Sequence, residues 1–237
     1  MSMVTSQEKA LPRTLTGPVI NGKATEVKIY TKAQLLASSC LPSLIQTLNK
    51  AFQVAHDAQP ELGLGRNGGR LSSIEHFISY LDDHPSVFII VVAFVGLEDV
   101  IATANCRRFF GTDAESDSPW VRRLKPEPGV DEWELKLMAV DPSIQKQGLA
   151  QYIMNLVEDE VTRESQLDFD RERVTQGAGL TARSVKLVLN TPREINGAFY
   201  ERRGYTTDYE TPPTGIWKCH IVFMSKIIAT LSWRGEL

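Results

Sequence analysis

The sequence predicts an α+β fold, in which helices and strands follow one another along one chain. Apolar side chains recur at helical spacing over residues 31–52, ahead of any strong β stretch. Residues 87–109 contain two β-rich stretches on either side of a turn, which predicts a hairpin. Residues 133–161 combine an alternating stretch with a helical apolar stripe, which predicts a strand and a helix joined by a short turn.

The N-terminal part is expected to begin with a flexible leader. Residues 1–23 mix Ser, Thr, Pro and Gly with few apolar anchors, whereas residues 24–237 are expected to form a single domain. A short first strand is predicted at residues 24–29. Pro42 interrupts the helical pattern that follows, as a helix-start residue does, so this helix is expected in two pieces.

A glycine-rich segment at residues 56–71 separates this helix from the next one. Its composition does not hold regular structure, and both a mobile lid and a plain surface loop remain open for it. Ser72 and Ser73 can cap the following helix, whose apolar residues share one face. Residues 87–94 are nearly all β-branched or aromatic, which is typical of a strand buried on both faces. Residues 100–109 are its predicted hairpin partner.

The C-terminal half contains the strand-turn-helix unit and a closing hairpin. In residues 133–140, alternation places Trp133, Leu135, Leu137 and Ala139 on one face and Glu134, Lys136, Met138 and Val140 on the other. A further strand is predicted at residues 184–190, a short helix at residues 195–203 ending at Gly204, and a hairpin from residues 205–209 and 217–228. Polar segments around residues 111–131 and 164–183 are predicted to be surface insertions.

Composition excludes several classes of protein. The formal net charge is -3 and Lys and Arg are scattered, so neither a nucleic-acid partner nor a membrane partner is predicted. Cys40, Cys106 and Cys219 show no metal-binding spacing, so we expect no metal and a reducing compartment. The longest apolar stretch is too short to span a bilayer, and the protein is expected in the cytoplasm, with the nucleus as the alternative. One core accounts for the apolar faces, so no oligomeric state is predicted.

The segment between the central strand and its helix has the features of an anion site. Gln145-Lys146-Gln147-Gly148-Leu149-Ala150 lies at the start of the predicted helix, where free backbone N–H groups and the helix dipole attract negative charge. Gly148 lets the chain approach a phosphate without an intervening side chain. These features predict a pyrophosphate site.

This segment resembles the acyl-CoA loop of the GNAT superfamily of N-acetyltransferases, written Q/R-x-x-G-x-G/A. Gln145, Gly148 and Ala150 satisfy the pattern, and the run from Phe199-Tyr200 to Gly204-Tyr205 is similar to the family's F-Y-x-x-x-G-F/Y helix. The resemblance covers roughly residues 24–228. It implies a mixed, mostly antiparallel, splayed sheet of six or seven strands with helices on both faces. It also implies acetyl-coenzyme A as co-substrate and transfer of acetyl to an amine.

The resemblance also implies roles for individual residues. The pyrophosphate would be held by the loop residues Gln145, Lys146, Gln147, Gly148, Leu149 and Ala150. The main chain of Met138, Ala139 and Val140 would contact the cofactor, with the Met138 N–H on the thioester oxygen. Asn190 and Asn196 are further candidates for pantetheine contacts. Gln145 replaces the commoner Arg, and Arg193 stands where many members have Asn, so side-chain contacts at those positions are in question.

Two residues are candidates for proton transfer. An amine with a pKa of roughly 10 needs a proton acceptor before it can attack a thioester, and Glu134 is the candidate, predicted to share a face with Met138 about 13 Å away. The alternative for Glu134 is a solvated strand residue paired with Lys136. Tyr200 is the candidate proton donor to the departing thiolate, and the alternative is a core tyrosine.

The acceptor is expected to be the amine of a small molecule. A protein lysine or N-terminus is the first alternative, and a non-catalytic acyl-CoA-binding sensor is the second. The glycine-rich segment at residues 56–71 would be a lid over the acceptor site or a surface loop.

Overall fold

The computed structural model describes residues 12–64, 70–81, 87–111, 118–176 and 182–232. Its centre is one mixed sheet in the order β1-β2-β3-β4-β5-β6-β8-β7, in which only β5 and β6 are parallel neighbours. The strands are β1 Arg13–Thr16, β2 Thr25–Thr31, β3 Phe88–Phe94, β4 Val100–Arg108, β5 Val130–Val140, β6 Ala182–Pro192, β7 Thr206–Thr211 and β8 Ile221–Ser232. The described part of the chain therefore has eight strands, where six or seven were expected.

In the described residues, five α-helices cover the two faces of the sheet. They are α1 Lys32–Leu36, α2 Leu41–Ala58, α3 Ile74–Ile78, α4 Leu149–Gln176 and α5 Ala198–Glu201. One face, here called the α4 face, is buried under α4 and α5, and the opposite face, the α2 face, is buried under α1, α2 and α3. This arrangement confirms the α+β prediction, including the early helix in two pieces with Pro42 in the first turn of α2.

The sheet opens between β5 and β6. Their parallel pairing runs only from Val130 opposite Ser184 to Glu134 opposite Val188. Beyond these residues β5 stays paired with β4 and β6 stays paired with β8. A V-shaped gap, here called the splay, therefore starts at Glu134 and widens toward the end of β5.

A β-bulge lies in β5 at the edge of the splay. Asn105 of β4 faces Lys136 and Thr103 faces Ala139, so two residues of β5, Leu137 and Met138, stand opposite one residue of β4. Leu137 takes a φ of 49°, in the left-handed region.

The bulge changes which face each β5 side chain occupies. Trp133, Leu135 and Met138 pack on the α4 face, whereas Leu137 and Ala139 pack on the α2 face. The prediction that Trp133, Leu135, Leu137 and Ala139 share a face is therefore wrong. The prediction that Glu134 shares a face with Met138 is wrong for the same reason, because an extra residue inserted between them breaks the two-residue period.

Two further expectations fail at the level of single elements. Strand β1 lies within residues 1–23, where a flexible leader was expected, and pairs along its length with β2. Helix α4 continues to Gln176, so residues 164–176 extend this helix instead of forming a surface insertion. The buried residues Ser165 and Phe169 explain the extension, because they keep one side of this charged stretch on the core. The rest of that predicted insertion, residues 177–181, lies outside the described residues.

Among the described residues, no helix is both long and apolar enough to cross a membrane.

Candidate active site

The loop between β5 and α4 presents backbone N–H groups to solvent. Lys146 and Gly148 take φ values of 65° and 81°, and the first helical bond runs from the Tyr152 N–H to the Gly148 carbonyl at 2.9 Å. The N–H groups of the first turn of α4 therefore have no partner within the helix, and they lie at the positive end of a 28-residue helix dipole. Residues 145–148 are exposed. The loop fits an anionic group such as a diphosphate.

The position of Gly148 matters for this fit. A Cβ built on Gly148 would meet nothing within 4 Å, so the space in front of its main chain is open. Two contacts fix the loop from behind: Lys50 of α2 binds Asp141 at 2.9 Å, and the Gln145 side chain donates to the Val140 carbonyl at 3.2 Å. The Gln145 side chain is thus bound to the end of β5. It can shape the loop through this hydrogen bond, although it lacks the positive charge of the commoner arginine.

Tyr200 lies at the splay on the α4 face. Its hydroxyl is 4.0 Å from the Met138 Sδ, so the helix that contains the Phe199-Tyr200 pair contacts β5 at the bulge. Burial raises the pKa of Tyr200 to about 12, against a smaller opposite effect of Arg203. The phenol is therefore protonated at neutral pH and able to donate. Its ring packs edge-on against Phe199 and Tyr205, which holds its position.

Glu134 lies at the start of the splay on the α2 face. It is 4% exposed, and its Oε2 is 2.9 Å from both Nε and Nη2 of Arg107 and 3.4 Å from the Lys136 Nζ. Lys136 is indeed a partner, as one alternative for Glu134 required, but the carboxylate is buried instead of solvated. Glu134 and Tyr200 thus approach the splay from opposite faces of the sheet.

The asparagine candidates lie on the β6 side and are both engaged. The Asn190 amide donates to the Trp120 carbonyl at 2.9 Å, and the Asn196 amide donates to the Thr191 hydroxyl at 3.2 Å. Asn196 lies in a π-helical turn, Arg193–Gly197, that precedes α5. The Arg193 side chain points away to Glu210.

Three polar residues near Glu134 or Lys136 were not among the residues singled out from the sequence. Asn105 and Arg107 lie on β4 directly opposite Lys136 and Glu134, and Arg70 lies before α3. The available signal was the polar pair at positions 105 and 107 in an otherwise apolar strand, whose period of two places them on one face.

Two loops are joined over the α2 face at the β6–β8 side. The Lys218 N–H donates to the Leu62 carbonyl at 2.9 Å, and a Cβ on Gly63 would come within 2.1 Å of the Ile216 carbonyl oxygen. The segment after α2 is therefore fitted closely to the loop between β7 and β8. Gly65, Gly68 and Gly69, on which the lid prediction depends, lie outside the described residues.

A splayed sheet, a helix start with open backbone N–H groups and a buried tyrosine at the gap are together typical of a coenzyme-A-dependent acyltransferase. The sequence profile of the acetyltransferase (GNAT) family matches residues 51–171, about half of the chain, and the chain belongs to that family. It is an acetyl-coenzyme-A-dependent N-acetyltransferase in class, as its two sequence motifs predicted.

Solved structures share the fold at low sequence identity. The NatC complex bound to Gag peptide and CoA is 12% identical, with 86% of this chain and 98% of that chain covered and a TM-score of 0.51. FeeM, an N-acyl amino acid synthase from uncultured soil microbes, is 12% identical, with 92% and 91% covered and a TM-score of 0.50. The ribosomal-protein-S18-alanine N-acetyltransferase from Escherichia coli is 16% identical, with 90% and 97% covered and a TM-score of 0.49. No curated protein matches the sequence.

Proposed function

We propose that this enzyme transfers acetyl from acetyl-coenzyme A to the primary amine of a small molecule, by direct attack through a tetrahedral intermediate. The amine nitrogen forms a bond to the acetyl carbonyl carbon, the carbon–sulfur bond breaks, and the thiolate leaves. The amine, which starts protonated, loses one proton before the attack and a second from the tetrahedral intermediate; the thiolate gains one proton and the other is released to solvent. The observation that carries the proposal is the opposition of Glu134 and Tyr200 across the splay.

Each residue has a distinct part in this reaction. The main chain of residues 145–150 binds the diphosphate, and the Met138 N–H, with its neighbours Ala139 and Val140, aligns the thioester along β5. Beyond Glu134 these strand residues have no β6 partner within the described sheet, which supports a role in holding the substrate there. Asn190 and Asn196 act indirectly, because their amides fix the loop at Trp120 and the end of β6.

Proton transfer is divided between the two faces. Glu134 accepts the proton of the acceptor amine on the α2 face, and Tyr200 donates a proton to the thiolate on the α4 face. Because burial raises the pKa of Tyr200 to about 12, the phenol stays protonated at neutral pH and its proton is present when the thiolate departs.

The joined loops support a small acceptor. An extended polypeptide would need a groove across the α2 face, and the contact of Leu62 and Gly63 with the β7–β8 loop closes one end of such a groove. Trp120, in the segment between β4 and β5, packs edge-on against Trp217 of the β7–β8 loop with ring centres 5.6 Å apart, which adds a second closed side. These contacts favour a small amine over a protein lysine or N-terminus.

The test is release of free thiol from acetyl-coenzyme A with a panel of amines and peptides. We expect turnover with small amines and none above background with peptides. Tyr200→Phe should lower kcat by about 10²-fold or more without changing the affinity for acetyl-coenzyme A, since general acid catalysis contributes about 10² to 10⁴. Turnover by the Tyr200→Phe variant equal to that of the native enzyme would remove the acid role, and binding of acetyl-coenzyme A without any turnover would favour a sensor.

A further inference from the structure

Two buried polar side chains of β4 differ in whether the described residues satisfy them. Thr103 and Asn105 both lie on the α2 face, opposite Ala139 and Lys136 of β5. The Thr103 hydroxyl donates to the Ile90 carbonyl at 2.8 Å. Asn105 is 2% exposed, and neither its amide oxygen nor its amide nitrogen has a hydrogen-bond partner among the described residues. The Asn105 amide therefore requires a physical explanation.

An unpaired amide in the core is costly. It gave up its hydrogen bonds to water when the chain folded and gained none in return. The large majority of buried polar side-chain atoms in native proteins are paired, either with other protein groups or with ordered water. An amide carries both donors and an acceptor, and water is the smallest group that pairs with either. The Asn105 amide thus has the features of a binding site for water.

The strands on either side of Asn105 restrict where its partner lies. On the β3 side Asn105 faces Ile89, which belongs to the apolar cluster under α2 and α3. On the β5 side it faces Lys136, whose Nζ is 3.4 Å from the Glu134 Oε2. Polar groups are therefore found on the β5 side of the amide, so a water bound to Asn105 has its further partners toward Glu134 and the splay.

Asn105 stands at a level of β5 between the proposed base and the proposed thioester site. Its partner Lys136 is two residues after Glu134 and two residues before Met138. Four residues of a strand span about 13 Å, so Glu134 does not reach an amine at the thioester directly. Diagonal neighbours on two antiparallel strands lie about 7–8 Å apart, and a water that bonds two polar groups spans roughly 5.5 Å between them. One water on Asn105 fits this gap.

We infer that Asn105 is a positioning residue, whose amide holds a water molecule between the acceptor amine and the Glu134 carboxylate. The inference rests on the proposed function and adds the route by which its base is reached. The ammonium group of the acceptor gives a proton to the water oxygen, while the water gives one of its own protons to Glu134. The water is unchanged, the amine is neutral and ready to attack, and Glu134 later returns its proton to solvent.

The first experiment replaces Asn105 by leucine, which has a similar shape and no polar atoms. Asn105→Leu should lower kcat by about 10- to 100-fold, a part of the 10² to 10⁴ that general base catalysis contributes, without changing the affinity for acetyl-coenzyme A. It should keep or raise the free energy of unfolding, because an unpaired amide leaves the core. A kcat equal to that of the native enzyme would overturn the inference.

The pH dependence distinguishes proton transfer from a structural effect. An amine with a pKa of roughly 10 is increasingly neutral as the pH rises, so it needs the water and Glu134 less. The ratio of kcat/KM between the native enzyme and Asn105→Leu should fall about 10-fold between pH 7 and pH 9. The charged groups around Glu134, which are Arg107, Lys136 and, near Lys136, Arg70, are present in both enzymes and cancel in this ratio. A ratio that is constant with pH would contradict the proposed route.

A double variant tests whether Asn105 acts through Glu134. Adding Asn105→Leu to Glu134→Gln should lower kcat by no more than about twofold further, because the water then has no base to supply. Losses that multiply would show that the two residues act independently and would overturn the inference. Absence of thiol release by the native enzyme with every acceptor would instead refute the proposed function itself.

Smaller side chains provide a comparison that does not depend on how leucine packs. Asn105→Ser and Asn105→Ala differ by one hydroxyl, which can hold the water, so the serine variant should have a kcat at least about 5-fold higher. Equal rates would contradict the positioning of a water. The matched control is Thr103→Val on the same face of β4, which should lower the free energy of unfolding through loss of its bond to Ile90 and leave kcat unchanged.

Discussion

The bulge in β5 can be tested by exchanging one buried leucine for alanine and for glycine. Leu137 is 6% exposed and has a φ of 49°, a conformation that costs a residue with a Cβ about 1–2 kcal/mol. Both Leu137→Ala and Leu137→Gly remove the buried side chain, at about 2–5 kcal/mol each. Glycine then gains the relief of the left-handed strain and loses about 0.4–1 kcal/mol through its freer unfolded chain. The glycine variant should therefore be the more stable of the two by about 0.5–1 kcal/mol.

Leu135 is the matched control for this comparison. It lies two residues earlier in the regular part of the same strand and is 5% exposed, so the side chain that is removed has the same size and similar burial. At this position the alanine variant should be more stable than the glycine variant by about 0.5–1 kcal/mol. Urea unfolding followed by circular dichroism gives the free energy of unfolding of all four variants. Alanine more stable than glycine by the same margin at both positions would show that β5 has no bulge at Leu137.

Three other predictions address the site and the core. Gly148→Ala should weaken acetyl-coenzyme A binding by about 10-fold in calorimetry, because the added Cβ would occupy the open space before the helix start. The control is Gly96→Ala, at a similar φ of 77°, which should leave binding unchanged and show the effect of backbone strain alone. Ser165→Ala should destabilise the protein by about 1–3 kcal/mol, since it removes the hydroxyl that accepts the buried Trp133 indole N–H at 2.9 Å. A loss of stability no larger than that caused by Thr175→Ala, at an exposed position, would contradict the burial of Ser165. The pKa of Tyr200 is about 12 in the folded protein and about 10 in the unfolded chain, so its contribution to stability is complete below pH 10 and is lost as the pH rises toward 12. The difference in free energy of unfolding between the native enzyme and Tyr200→Phe should therefore change by about 1 kcal/mol between pH 9 and 11. A difference that stays constant with pH would argue against a buried phenol.

Local periodicity was sufficient to predict most elements of this fold. The split early helix, the hairpin of β3 and β4 and the closing pair β7 and β8 follow from spacing and turn residues, and the structure has them close to the expected positions. The charged run from Glu164 was misassigned because charge alone indicates exposure, whereas Ser165 and Phe169 keep one narrow side of α4 on the core. Strand β1 was missed because a four-residue stretch with a single apolar residue, Leu15, carries little β signal without the edge of β2 beside it.

The sequence was sufficient to predict the loop and helix motifs of the candidate site. It was not sufficient to predict which face of the sheet each β5 side chain occupies. The run from Gln145 to Ala150 and the pair Phe199-Tyr200 can be read from the sequence, since each is a local motif. The bulge cannot be read in this way: Leu137 is neither glycine nor asparagine, and its left-handed conformation is imposed by the register of β5 against β4. Every inference about which side chains share a face with Met138 depended on that one residue.

The bulge and the splay are both needed for the chemistry that the site supports. In a regular strand Glu134 and Met138 would lie on one face, and Tyr200, which contacts Met138, would then share that face with the carboxylate. The base and the acid would compete for one side of the thioester, and a proton taken by Glu134 could pass to the leaving sulfur without any need for a tyrosine. The extra residue at Leu137 turns Met138 toward the α4 face, while the gap beyond Glu134 opens both sides of β5 to the substrate. With the proposed roles of Glu134 and Tyr200, attack by the amine and departure of the thiolate would occur on opposite sides of the sheet, so the acceptor would not have to occupy the space that the leaving group requires.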